Sequence, residues 1–416
     1  MLKDFLIVWC VYWVLVLILP LSSIYEHVYM AFLFQLSFVF FVFLGYKAVS
    51  LSSYKSTEVY FYNRIDLLKR FNLMITISLW ISFIGCLFLL YDKIYIQHID
   101  YFKGLAIARE QWRVKGLDRG GSISSIYSVI GYFFSSGYYL AGVLFVICAK
   151  QNSFKRNFLI IISIFLLLLF NCFMTGGRSN ILLLASYILG ARLLINDRGF
   201  KGIFRNRVLR KIFYLFTLLS VIYIVYIFSQ RAIAGDKDLT GYLESFLPWL
   251  GLELSSKEFL NYDNFLSDVI SALLLVLSYI THSFSTMVAI IQHDDENKFI
   301  IFISTLNSLN KLGLIPSPDT NWFLAGRFPS LPGAFLYQFG YVGFFFASFL
   351  LGALSGLAKR VYCSKSSSIL YIGFFVSMYS VLVLSPLLLA SDFMSFPFVC
   401  IIFLFISVIF KIRIRI

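Results

Sequence analysis

The sequence predicts an all-α integral membrane protein, a polytopic helical bundle with no soluble domain of any size. Three observations predict it. Of 416 residues, 60% are hydrophobic and only 13% are charged, whereas soluble domains carry about 25% charged residues. The remaining charge clusters between long apolar runs. Several of those runs approach or exceed about 20 residues, enough to cross roughly 30 Å of hydrocarbon at 1.5 Å per residue.

Taken in order, the first run is Phe5–Leu21. Lys3 precedes it, but Pro20, Leu21 and Ser22 offer no small-x-small cleavage pattern, so it reads as a retained span rather than a signal peptide. Val28–Tyr46, Phe71–Tyr91, Ile123–Cys148 and Phe158–Met174 follow, then the shorter Ile181–Ile195, bounded by charge, and Lys211–Ser229. Gly333–Leu357, Ile369–Ala390 and Ser391–Phe410 complete the clear spans. Between them, Val269–Ile291 has the length of a span but carries Ser278, Thr281, His282, Ser283, Ser285 and Thr286, and Phe299–Leu314 is short and contains Asn307, Asn310 and Lys311. If both cross, the bundle has about twelve spans. If neither does, it has ten, and 231–332 forms one outer region with a re-entrant element.

Basic residues orient the chain, because loops rich in Lys and Arg stay on the cytoplasmic side. Segment 47–70 holds five basic residues against Glu58 and Asp66, and 192–211 holds seven against Asp197 alone. Lys150, Lys155 and Arg156, then Lys359, Arg360 and Lys365, then Lys411, Arg413 and Arg415 mark the other inner segments. Both termini are therefore expected in the cytoplasm. The outer loops become 92–122, 231–267 and 315–332, with shorter turns at 22–27 and 175–180. Tyr242–Tyr262 has helix-like apolar spacing, so an interfacial helix is expected there. The net charge of +14 follows from this loop pattern, so no nucleic acid is expected as a partner; membrane lipids are. The six cysteines are scattered without metal-ligand spacing.

Candidate chemistry lies on the outer side. Arg178 stands in Thr175-Gly176-Gly177-Arg178-Ser179, where paired glycines permit a tight turn or a close backbone approach. Arg231 marks the exit of a span, and Arg327 just precedes one. An arginine at the mouth of a bundle suits phosphate, which guanidinium binds bidentately while staying charged; the same residue can equally snorkel to hold a helix end. His282, an ionisable group among apolar neighbours, is a candidate proton acceptor or a hydrogen-bonded structural histidine. Glu253 and Asp236 are alternative bases on the outer side. No nucleotide-binding loop, dinucleotide fingerprint or metalloprotease motif is present, so a metal- and nucleotide-independent reaction without cofactors is expected.

On these residues the chain resembles the Wzy family of O-antigen polymerases. The Gly176-Gly177-Arg178 turn, Gln230-Arg231 opening a long outer loop, and Pro329–Gly343 leading into Leu351-Gly-Ala-Leu-Ser-Gly356 carry the resemblance. It implies a GT-C-like fold and the joining of undecaprenyl-pyrophosphate-linked oligosaccharide repeat units at the periplasmic face of a bacterial inner membrane. It further implies Arg178, Arg231 and Arg327, with Gly176 and Gly177, as groups for pyrophosphate or glycan, and His282 or Glu253 as the base. A chain-length regulator and a flippase of the same pathway would be partners. An O-antigen ligase and a transporter or flippase of lipid-linked oligosaccharide are the alternatives; the latter favours internal repeats, and none is evident in the sequence.

Overall fold

The computed structural model describes residues 1–50, 65–104, 123–175, 179–196, 237–255, 264–293, 300–318, 327–365 and 369–410, with shorter stretches between 107 and 115, between 214 and 235, and at 323–324. Helix α1 (Leu2–Ile18) leads into strand β1 (Leu21–Ser23), and α2 (Val28–Ser50) runs back through the bundle. Helix α3 (Ile65–Tyr91) passes into a π-helical turn at Asp92–Ile96. Then come α4 (Ile126–Ser135), α5 (Gly137–Cys148), α6 (Phe154–Thr175) and α7 (Ser179–Asn196). Helix α8 (Leu239–Leu250), strand β2 (Leu252–Leu254), α9 (Asn264–Gln292) and the short α10 (Ile303–Lys311) follow. The chain continues through α11 (Leu331–Lys365), kinked at Gly340, α12 (Ile369–Leu384) and α13 (Ser395–Phe410).

The packing is apolar outside and polar in small patches inside. On α2, Leu33, Leu36, Phe40 and Leu44 recur at three- and four-residue spacing and are exposed. Ser348, Ser355, Ser377 and Ser380 are buried instead, and Ser348 and Ser355 bond back to the carbonyls of Phe344 and Leu351 at 2.7 and 2.8 Å. Water would penalise that outer face heavily, while lipid does not. Among the described residues six helices are long and apolar enough to cross a membrane, and three shorter apolar helices accompany them. The chain is a multi-pass membrane protein.

Small residues set the closest helix contact. Helices α2 and α11 run side by side, and a Cβ on Gly352 would meet the Val42 carbonyl, while one on Gly356 would lie 2.8 Å from the Tyr46 carbonyl. Gly352 and Gly356 are four apart, the spacing that lets two backbones touch in a membrane. Deeper in, Trp9 Nε1 donates to Ser385 Oγ at 3.1 Å, and Tyr12 pairs with Ser283 Oγ at 2.7 Å. These bonds tie α1 to α9 and to the break after α12, where Pro386 cannot continue the helix.

Several sequence expectations change here. Phe299–Leu314 does not form a span: α10 has nine residues, about 14 Å of helix against roughly 30 Å of hydrocarbon. Its flanks stay near the start of α11, since the Ile300 and Ile301 amides donate to Gln338 Oε1 at 3.2 and 2.9 Å. The His293 ring stacks on Phe323 with centroids 3.9 Å apart. Of the helix expected over Tyr242–Tyr262, the described part is α8, and 256–262 lie outside the described residues. Helix α8 begins earlier, where Asp238 caps it by accepting from the Gly241 amide at 2.7 Å, and it stops at Gly251, which takes the left-handed conformation at φ 76°. The run Ile123–Cys148 keeps its place as a span of α4 and α5 together, with a one-residue irregularity at Ser136. A small antiparallel sheet, β1 against β2, pairs Ser22 with Glu253; the sequence reading expected no strand.

Candidate functional site

One end of the bundle gathers the described candidates. Helix α1 delivers β1 there and α8 delivers β2. The buried stripe Leu243, Phe246, Leu247 and Leu250 fixes how α8 lies, packing with Phe228, Leu274 and Leu275. With α8 seated on that stripe, Gly251 ends it against the start of β2. The Gly251 carbonyl accepts from the Ile24 amide at 3.1 Å and from Ser285 Oγ, and Ser23 Oγ lies 3.3 Å from Ser285 Oγ. A Cβ on Gly251 would lie 2.6 Å from the Tyr25 ring, 2.7 Å from Ser285 Oγ and 3.0 Å from Arg327 Nη1. Four distant stretches of chain therefore meet around one glycine: the β1–α2 turn, the α8–β2 turn, α9 and the segment before α11.

Arg327 lies in this cluster. Its Nη1 donates to the Tyr25 hydroxyl at 2.8 Å, and the side chain is half-buried. His282 lies beneath, buried on α9. Its Nδ1 stands 2.7 Å from the Tyr279 carbonyl, which can only accept, so Nδ1 carries the proton. Nε2 then accepts from the Phe328 amide at 3.4 Å. The histidine thus joins α9 to the residue that follows Arg327. Glu253, on β2, is exposed, and Ser22 Oγ donates to its Oε1 at 3.3 Å.

Arg327, His282 and Glu253 are thus brought to one end of the bundle. Gly176, Gly177, Arg178 and Arg231 lie outside the described residues, as do Asp236, Arg109, Arg113 and Arg119. The residues flanking the Gly-Gly-Arg turn are described, and they rest on a buried polar network. Asn180 Nδ2 donates to Asn171 Oδ1 at 2.7 Å, while Asn180 Oδ1 accepts from Tyr139 at 3.1 Å and Ser395 at 3.0 Å. Four residues from four helices, α5, α6, α7 and α13, thus bond together where α6 ends and α7 begins.

Sequence reasoning missed Tyr25, Ser285, Gly251 and a second polar centre at Asp92. Gly251 carried a signal, a glycine directly after an apolar-periodic helix. Asp92 carried only its position at the end of a span. It is fully buried in the π-helical turn and accepts from Ser124 Oγ at 2.8 Å, and from Ser125 and Gln97. Ser125 in turn caps α4, so the carboxylate joins the exit of α3 to the entry of α4. Burial, reinforced by the Asp92 charge, pushes the Tyr101 phenol above its ordinary range, which keeps it a donor to the Met174 carbonyl at 3.3 Å. Among the described residues no three His, Cys, Asp or Glu side chains converge as a metal site would require.

Compared with protein-family models, curated proteins and solved structures, the chain matches none.

Proposed function

We propose that the chain is a membrane glycosyltransferase of the O-antigen polymerase type, joining undecaprenyl-pyrophosphate-linked repeat units at the outer face of a bacterial inner membrane. The observation that carries this reading is Arg327, a half-buried cation held by Tyr25 at the mouth of an apolar bundle. Transfer from a polyprenyl pyrophosphate leaves charge on the departing phosphate. A guanidinium fixed in place stabilises that charge without reorganising. Arg178 and Arg231 supply further positive charge in this reading, and the Gly176-Gly177 turn admits the glycan. Glu253, exposed on β2, takes the proton of the acceptor hydroxyl. His282, with both ring nitrogens bonded to backbone groups, positions the Arg327–Phe328 backbone.

In this reading the bundle is GT-C-like with about twelve crossings, or ten with a re-entrant outer region, and cytoplasmic termini. The glycans occupy the outer end and the polyprenyl tails lie between helices. A chain-length regulator and a flippase are the pathway partners, and no cofactor is needed.

The test is the ladder of surface glycan from a deletion strain complemented with wild type or Arg327→Ala. A ladder from wild type, with single repeat units from the deletion and the variant, supports a polymerase that needs this arginine. A normal ladder in the deletion strain overturns the reading. Complete loss of surface repeat units would move the assignment to a ligase or flippase.

A further inference from the structure

At the opposite end of the bundle, α1 and α2 line an open groove. The two helices meet where Phe38 packs against Phe5 and Trp9, with ring centroids 6.3 and 5.7 Å apart. Beside that contact opens a groove of about 560 Å³, lined by Leu2, Leu6, Val11 and Phe43 and bounded by Lys3 and Lys47. That volume falls in the range of small-molecule sites, roughly 300–1,000 Å³. Both lysines are exposed. Lys3 stands in the first turn of α1 and Lys47 in the last turn of α2, so their ammonium groups belong to one end of the groove and the apolar lining to the rest.

The dimensions identify an occupant. From Lys3 to Val11 the groove follows α1 for about 12 Å, close to the roughly 15 Å depth of one leaflet's hydrocarbon. An acyl chain lying along α1 would therefore place its phosphate at the lysines. Among the described residues no acid pairs with either lysine: Asp4, next to Lys3, turns into the core and accepts from the Tyr379 hydroxyl at 3.0 Å. Lys47 lies 5.6 Å from the Phe43 ring, which holds its stem along the groove wall while leaving the charge available to a phosphate. Snorkelling explains a lysine at each helix end, but not an apolar slot of leaflet depth joining the two.

We propose that this groove binds one anionic glycerophospholipid, with its phosphate between Lys3 and Lys47 and one acyl chain between α1 and α2. The site lies at the far end of the bundle from Arg327 and stands independently of the glycan reading.

The experiment is native mass spectrometry of the full chain released from micelles holding equal amounts of phosphatidylglycerol and phosphatidylcholine. Wild type is expected to retain one phosphatidylglycerol. Lys3→Gln with Lys47→Gln is expected to lower that retention on the order of thirtyfold, from the attraction of two lysines near a lipid surface. Leu6→Trp, which fills the slot and keeps both charges, is expected to lose the lipid as well. Equal retention of the two lipids by wild type, or an unchanged phosphatidylglycerol adduct in either variant, overturns the proposal. Because the wild-type comparison of the two lipids needs no substitution, the proposal stays testable if a variant fails to fold.

Discussion

Arg327 Nη1 donates to the Tyr25 hydroxyl at 2.8 Å although 302 residues separate them. The bond closes the segment that precedes α11 onto the turn that joins α1 to α2. Removing the phenol oxygen with Tyr25→Phe keeps the ring against Gly251 and frees the guanidinium to swing. The surface glycan ladder is expected to shorten, whereas Arg327→Ala removes the cation and should cut polymer on the order of a hundredfold, the usual cost of one charge-stabilising donor. Arg327→Lys, which loses the planar fork, should fall between the two. Equal ladders from all three variants would show that the pair serves packing alone.

His282 and Glu253 separate by role. If His282 acts through the Phe328 amide, His282→Gln, which can still accept that bond, retains part of the polymer, and Glu253→Gln retains none. Quantifying ladder length at matched protein abundance decides it. Loss of activity in His282→Gln with full activity in Glu253→Gln would return the base to the histidine.

Gly251→Ala carries two penalties. The left-handed backbone costs about 1–2 kcal/mol for a residue with a Cβ, and the added methyl presses on Tyr25, Ser285 and Arg327, an overpacking cost of about 1–3 kcal/mol. The expected destabilisation is about 2–5 kcal/mol, read as a lower Tm of the purified protein in detergent, with Gly313→Ala as the comparison. Gly313 shares a positive φ of 74° but has open space around it, so it isolates the backbone part.

Gly352→Leu is expected to force α2 and α11 apart, because the side chain would occupy the Val42 carbonyl. A Tm loss larger than that of Leu350→Ala, which changes an exposed position on the same helix, is the expected outcome. A smaller loss would show that the helices can shift without cost.

Asp92→Leu leaves Ser124, Ser125 and Gln97 without their acceptor. Each unpaired buried group costs about 1–3 kcal/mol, so a total of about 3 kcal/mol is expected after the hydroxyls reorient. Amide exchange over 123–129 should accelerate, since the cap of α4 depends on Ser125. Unchanged protection there would sever the carboxylate from the cap.

The spans were legible because burial in lipid needs only composition and length. Val28–Tyr46 and Phe71–Tyr91 fall inside α2 and α3, and an apolar run of that length has no other stable placement. The breaks were less legible. Ser136, Gly340 and the stop at Leu384 lie inside apolar runs whose hydropathy does not change, and hydropathy cannot register a backbone turn. Phe299–Leu314, which hydropathy left open, holds a nine-residue helix among its described residues, too short to cross.

Of the candidate groups, the sequence by itself identified His282 as an ionisable residue within an apolar segment, and Arg327 and Glu253 as charges in the loops beside the spans, because isolated charge in an apolar chain is visible one residue at a time. What only the tertiary structure decided is their company. Tyr25 beside Arg327, Phe328 against His282 and Ser22 beside Glu253 are contacts across 302, 46 and 231 residues. Such contacts arise from how α1, α8, α9 and α11 pack around Gly251, and no local pattern encodes the distance between residues that the chain itself keeps apart.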